Sequence, residues 1–289
     1  TVNGTSGADN FLLRASPHDY PTGIAFVAAV HGDPVGQVER VNYNKAIEQL
    51  NANGGDGNDT FTLDDNWAPT TIPGGEGDDR FQVGQIFKTQ RDAARANIAG
   101  EDEFATTLTT RGYLSNGVSY ETTIQGDDGN DEFIVFRNTA QLHLYGGAGD
   151  DTFTVRAFAL EGSHTTAVSG DGGADYVEYV LNAPVNVLGG DGSDTLRVIG
   201  TEFSDQIVIT ATGIFGMGIN VTYGGIEKVE IDGAEGNDLF YVLSTGLGVE
   251  TWLYGGLGSD RFSIAGDVPQ RSEERRVGKE GRARWAPYN

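Results

Sequence analysis

The 289-residue chain has no cysteine, so neither disulfides nor thiolate metal sites contribute to it, and its compartment has to be argued from other features. Proline is scarce: 8 prolines against 43 glycines point to many tight turns rather than to a proline-rich linker. Basic residues are outnumbered, 19 against 42 acids, and the resulting net charge of -23 repels nucleic acid and anionic membranes while attracting cations. No apolar run approaches a membrane span, and no signal-peptide pattern opens the chain. Histidine is limited to His18, His31, His143 and His164, which are scattered, and Ser16, His18 and Asp19 in SPHDY lie too close in sequence to imply a catalytic triad. The chain opens TVNGTSGADN, without methionine and already inside a repeated phrase. It therefore reads as an internal piece of a longer polypeptide, with any export signal outside it.

What is present is one phrase, returning again and again. NGGDGNDTFTL begins at Asn53, PGGEGDDRFQV at Pro73, YGGAGDDTFTV at Tyr145, LGGDGSDTLRV at Leu188 and YGGLGSDRFSI at Tyr254. Aligned on the last aspartate of the turn, ten copies end at Asp9, Asp59, Asp79, Asp131, Asp151, Asp175, Asp194, Asp205, Asp238 and Asp260. Two residues later stand Phe11, Phe61, Phe81, Phe133, Phe153, Val177, Leu196, Ile207, Phe240 and Phe262. Four residues later stand Leu13, Leu63, Val83, Val135, Val155, Tyr179, Val198, Ile209, Val242 and Ile264. This alternation puts both sets on one face of a strand, and its recurrence predicts apolar columns stacked in a common core.

A second short strand precedes many of the turns, as in QLHLY before Gly146, APVNVL before Gly189, IEKVEI before Gly233 and VETWLY before Gly255. One unit is thus strand, glycine turn, strand, loop. Several units are close to twenty residues long: Asp59 to Asp79 and Asp131 to Asp151 each span 20, and Asp175 to Asp194 spans 19. A chain that returns above itself at that interval predicts an all-β parallel β-solenoid. A sandwich with the same strands would not require one turn phrase to recur in register with the core.

The prediction is a single unit over residues 1–270, interrupted by insertions at about 14–50 and 84–120. IAFVAAV and QVERVNYN in the first insertion read as further wall strands rather than a separate domain. The second insertion carries an alanine-rich stretch that predicts a short helix over Gln90–Ala99. Its Arg91, Arg95 and Arg111 would suit an acidic sugar, although solvated loop charges are the commoner explanation. Between Asp205 and Asp238, DQIVIT and GINVTY predict an extra strand pair.

Glycines at the first and fourth turn positions are Gly54 and Gly57, Gly74 and Gly77, Gly146 and Gly149, Gly189 and Gly192, and Gly255 and Gly258. They permit positive φ and close backbone approach, turning carbonyls toward a common point to which the final aspartate adds a carboxylate. Stacked units would place successive aspartates about 4.8 Å apart, where two unscreened carboxylates repel by roughly 3 kcal/mol. A divalent cation between turns converts that repulsion into attraction, and an irregular all-oxygen shell favours several Ca²⁺ ions over Mg²⁺. The candidate ligands are Asp59, Asp79, Asp131, Asp151, Asp175, Asp194, Asp238 and Asp260 with the turn glycines. An EF-hand is excluded because a loop starting at Asp56 places Trp67 where a bidentate glutamate is required.

GGDGNDTFT, GGAGDDTFT, GGDGSDTLR and GGLGSDRFS resemble the glycine- and aspartate-rich nonapeptide of the RTX (hemolysin-type) repeat family. That resemblance implies a right-handed parallel β-roll with calcium between turns, in a secreted or cell-surface bacterial protein. The phrase is full at Asp59, Asp79, Asp151, Asp194 and Asp260, whereas Asp127, Asp171 and Ala234 replace the second glycine before Asp131, Asp175 and Asp238. Asp9 keeps only Gly4 and Gly7, and Asp205, with Phe203 at the fourth position, is expected to bind no ion. Family arrays repeat every nine residues and carry ions on both edges, so a motif every twenty predicts a single calcium-bearing edge.

These features predict a calcium-binding segment of a large exported protein, with a structural or adhesive role, folding coupled to calcium, and cell-surface glycan or protein contacts through the insertions. The alternative is a β-solenoid carbohydrate-active enzyme, a polysaccharide lyase or epimerase, or its accessory module. No catalytic constellation is legible. Residues 271–289 reverse the charge abruptly, and Arg271–Glu280 resembles an in-frame translation of a short-read sequencing adapter. That tail is read as non-native and set apart from function.

Overall fold

The computed structural model describes residues 1–16, 23–91, 103–156, 165–180, 185–216, 219–264 and 282–285. The described residues form strands and no helix, and no helix among them is long and apolar enough to cross a membrane. Two large sheets account for most of the strands.

In the first sheet, Leu50–Asn53, Thr70–Glu76, Thr122–Asp128, Leu142–Ala148, Thr166–Gly173 and Val185–Gly192 pair in parallel, each with the equivalent strand of the next unit. The strand after each turn joins the second sheet, where Asn10–Ser16, Thr60–Leu63, Arg80–Val83, Glu132–Val135, Thr152–Val155, Tyr176–Val180 and Thr195–Ile199 follow the same order. The register matches like with like, so Phe11 lies opposite Phe61, Phe61 opposite Phe81, Phe81 opposite Phe133 and Phe133 opposite Phe153. Their rings stack at centroid distances of 4.4, 5.2, 4.9 and 4.5 Å. Offset-stacked rings add to the area they bury, which makes this column the spine of the core. Of the twenty apolar positions named from the sequence, all are buried except Phe262 and Ile264, which are half-buried.

The first insertion extends the wall, as its alternation predicts: Ile24–Gly32 and Val35–Tyr43 run antiparallel beside Asn10–Ser16 and continue the second sheet. The second insertion contributes a small antiparallel sheet of Ile86–Phe87, Thr106–Thr109 and Gly112–Ser115. The helix expected over Gln90–Ala99 falls largely on residues 92–99, outside the described residues, as do His18, Asp19, Arg95 and His164.

The predicted extra strands, Gln206–Thr210 and Ile219–Gly224, are present with Gly213–Gly216 between them as an antiparallel meander. The layout changes just before this meander. Lys228–Asp232 pairs beside Thr195–Ile199 in the second sheet, yet it also leads into the next glycine turn, and Leu239–Val242 beyond that turn falls in the first sheet. From the Asp205 turn on, with Thr195–Ile199 before it in the second sheet and Gln206–Thr210 after it in the first, the strands flanking these aspartate turns have exchanged sheets, which moves the turn to the opposite corner. The single edge expected from the sequence is therefore corrected to two. Arg282–Trp285 pairs antiparallel with Thr251–Tyr254 at the end of the second sheet.

Candidate metal centre at the aspartate corners

In eight of the ten turns, all but those before Asp9 and Asp205, the positive-φ residues are the second and the fourth, as at Gly55 (φ 106°) and Gly57 (φ 111°), or Gly75 (φ 116°) and Gly77 (φ 128°). The first glycine is not left-handed, which corrects the expectation for Gly54, Gly74, Gly146, Gly189 and Gly255. Its requirement is steric: a Cβ on Gly54 would strike both the carbonyl of Gly74 in the next repeat and Oδ2 of Asp59 in its own. The same two kinds of oxygen crowd Gly74, Gly126, Gly146, Gly170, Gly189 and Gly233, and a Cβ on Gly255 would strike Asp260 Oδ2. The fourth glycine is needed for both reasons, since a Cβ on Gly77, Gly149, Gly192 or Gly258 would meet the carbonyl of the fourth-position glycine in the preceding repeat.

The aspartates do stack, through the backbone. The N–H of Asp9 donates to Asp59 Oδ1 (2.6 Å), Asp59 to Asp79 (2.7 Å), Asp79 to Asp131 (2.7 Å), and Asp131 to Asp151 (2.7 Å). The series continues from Asp151 to Asp175 (2.8 Å) and Asp175 to Asp194 (2.9 Å), and ends where Asp194 N–H donates to Glu227 Oε2 (2.9 Å). A second series runs on the opposite corner, Asp205 to Asp238 (2.8 Å) and Asp238 to Asp260 (3.0 Å). One carboxylate oxygen per repeat thus has a structural duty. The other does not: Oδ2 of Asp59, Asp79, Asp131, Asp151, Asp175, Asp194 and Asp238 is buried and has no hydrogen-bond partner.

The two series begin differently from how they continue. Asp9 Oδ2 accepts the Thr5 N–H (2.5 Å), and Asp205 Oδ2 accepts the Thr201 N–H (2.9 Å) and hydroxyl (2.7 Å). Thr5 and Thr201 stand at the second turn position, where the other repeats have a positive-φ residue. There the sequence selects between a carboxylate sealed by its own backbone and one left without a hydrogen-bond donor. The first insertion also serves the first corner, because Gly32 N–H donates to Asp9 Oδ1 and buried His31 lies 3.4 Å from the same oxygen.

Burial is the largest influence on these carboxyls and pushes them up: Asp59, Asp131 and Asp175 to about 6, Asp79 and Asp151 to about 7. The N–H received from the preceding aspartate pulls each down, and neighbouring carboxylates push it up again. Asp194 and Asp238 are raised for the same first reason. A buried anion of this kind needs a proton or a cation.

Sequence reasoning missed three features. The fifth turn position forms its own exposed ladder, with Asp78 N–H donating to Asn58 Oδ1 (3.1 Å), Asn130 N–H to Asp78 Oδ1 (2.9 Å) and Asp150 N–H to Asn130 Oδ1 (2.8 Å). The recurring Asn or Asp before the final aspartate was its signal. Glu227 in YGGIEKVEI closes the first series in place of an aspartate, with Val229 and Ile231 at the core positions. Asp64, fully buried, pairs with Arg14 (2.8 Å) beside the second insertion, where burial raises its carboxyl and Arg14 opposes that. Of the arginines considered for ligand binding, Arg91 packs over Phe87 and Phe104, and His143 projects outward near Glu121 (3.5 Å).

Among the described residues no group of three or more His, Cys, Asp or Glu side chains is gathered around one point. Any cation shell at these corners would therefore combine no more than two carboxylates with backbone carbonyls. The observed donors fit that: an unpartnered buried Oδ2 and the carbonyl of the next repeat's first glycine lie against the same glycine Cα. No family model, curated protein or solved structure matches the chain.

Proposed function

We propose that the chain is a calcium-binding repeat segment of a large exported bacterial protein, wound as a right-handed parallel β-solenoid, with a structural or adhesive role and folding coupled to calcium. The observation that carries this reading is the repeated convergence of an unpartnered buried carboxylate oxygen and a carbonyl from the next repeat, at Asp59, Asp79, Asp131, Asp151, Asp175, Asp194 and Asp238. The ion supplies the positive charge that a buried carboxylate otherwise takes from a proton.

Hard cations prefer oxygen ligands, and calcium tolerates irregular shells rich in carbonyls, whereas magnesium retains its waters. Ions that bind the folded chain alone contribute their binding free energy to folding. Such a chain stays loose at low calcium and folds at the higher calcium outside the cell, which supports a secreted or cell-surface location. The net charge of -23 adds to this, since ions that neutralise it relieve self-repulsion.

Calorimetric calcium titration of the full chain, with circular dichroism in parallel and magnesium as control, tests the reading. Several calcium ions bound together with a gain of β structure are expected. Complete β structure in chelator without calcium binding would sink it.

A further inference from the structure

We propose that the outward face of the second sheet, where Tyr176–Val180, Thr195–Ile199, Lys228–Asp232 and Glu250–Tyr254 lie side by side, binds an uncharged polysaccharide. Register brings Glu178, Arg197, Glu230 and Trp252 into one row across four parallel strands, with Asp232 and Tyr254 in the row beside it. Earlier strands of the same sheet present Thr60 and Thr62, Arg80 and Gln82, Glu132 and Ile134, and Thr152 and Thr154 at these positions. The half-buried outward aromatics Tyr176, Trp252 and Tyr254 are thus concentrated at one end, among charged partners.

The side chains hold one another in place. Tyr176 Oη donates to Glu178 Oε2 (3.4 Å) and also bonds Arg197, whose guanidinium reaches Asp232 (3.4 Å). Lys228 pairs with Glu230 and lies over the Trp252 ring (5.6 Å), and Trp252 stacks beside Tyr254 at 6.2 Å with an interplanar angle of 18°. The groups remain partly open, with side-chain exposures of 19% for Glu178, 36% for Arg197 and 26% for Asp232.

Sugar rings need this combination: an aromatic surface for their C–H face, and carboxylate acceptors next to guanidinium or ammonium donors for hydroxyls that both give and accept. Parallel strands about 4.8 Å apart set successive contact points on a straight line, which suits an extended polymer. An acidic polysaccharide or nucleic acid would meet several carboxylates and the chain's net charge of -23. A protein partner would want an apolar centre, and the outward apolar residues here, Val180 and Ile199, form only one corner.

The test is affinity electrophoresis of the full chain in calcium, through gels containing hydroxyethylcellulose, xyloglucan or dextran, with alginate as the acidic control. Retention by at least one uncharged polymer is expected, and none by alginate. Trp252→Ala and Glu230→Gln, with unchanged circular dichroism, should each weaken retention about tenfold, while His143→Ala on the other sheet leaves it unchanged. Glu178→Gln, which removes charge without volume, gives a third reading if Trp252→Ala unfolds. Absence of retention in all three uncharged gels, retention by alginate alone, or retention indifferent to Glu230→Gln and Glu178→Gln overturns the proposal.

Discussion

Asp151→Asn separates the two duties of a corner carboxylate. Oδ1 accepts the Asp131 N–H at 2.7 Å, and asparagine keeps an oxygen for it. Oδ2 is buried without a partner and lies beside the Gly170 carbonyl, so an amide nitrogen in its place becomes a donor to that carbonyl. In chelator the substitution removes a buried acid raised to about 7 and adds one neutral hydrogen bond. A net gain of about 1 kcal/mol is expected at pH 8. In calcium at a hundredfold excess over Kd, the wild-type site gains about 2.7 kcal/mol that the variant forgoes. The variant is then less stable than wild type by roughly 2 kcal/mol, the difference of those two terms. Asp151→Ala serves as control, because it strands the Asp131 N–H and should cost about 1–3 kcal/mol in chelator, where Asp151→Asn does not, and about 2.7 kcal/mol more in calcium. Urea unfolding followed by circular dichroism, in EGTA and in calcium, reads all three chains. An equal loss for Asp151→Asn in both conditions would refute the reasoning, since the carboxylate would then be acting through its shape alone.

Other outcomes follow from the same geometry. Gly149→Ala adds a Cβ against the Gly129 carbonyl at φ 132°, and should cost about 2–3 kcal/mol in thermal or urea unfolding. Ala234→Gly goes the other way: Ala234 sits at φ 68°, a left-handed strain of about 1–2 kcal/mol, against an unfolded-state entropy of about 0.4–1 kcal/mol. A small net stabilisation should appear as a higher urea midpoint. Phe133→Ala breaks the ring column between Phe81 and Phe153 and should cost about 3–5 kcal/mol, with Phe133→Leu recovering most of it. For pH, corner carboxyls raised from 3.8 to about 6 or 7 make the folded chain bind more protons than the unfolded one between roughly pH 4 and 7. Stability in chelator should therefore fall as pH rises from 5 to 8, and calcium should flatten that slope by replacing the protons. A midpoint that climbs with pH in chelator contradicts this.

The sequence by itself determined the local pieces. Alternation after each aspartate put Phe61, Phe81, Phe133 and Phe153 on one strand face, and the recurring phrase placed them in the same column. Glycine density marked the turns because close approach and positive φ are demands made within a few residues. Tertiary structure decided what depends on neighbours far along the chain. Glu227 ends one corner series after Asp205 has begun the other, because Thr195–Ile199 of the second sheet passes through the Asp205 turn into Gln206–Thr210 of the first, and Lys228–Asp232, paired with Thr195–Ile199, repeats that path through the Asp238 turn. Strand-to-sheet assignment is a hydrogen-bonding choice between segments, and the same alternating pattern satisfies either sheet. Only stacking revealed that each aspartate divides its two oxygens, since the N–H meeting Oδ1 comes from the preceding repeat and the carbonyl beside Oδ2 comes from the following one. The sheet-face cluster has the same origin: Glu178, Arg197, Glu230 and Trp252 share no local motif, and parallel register alone brings them into one row.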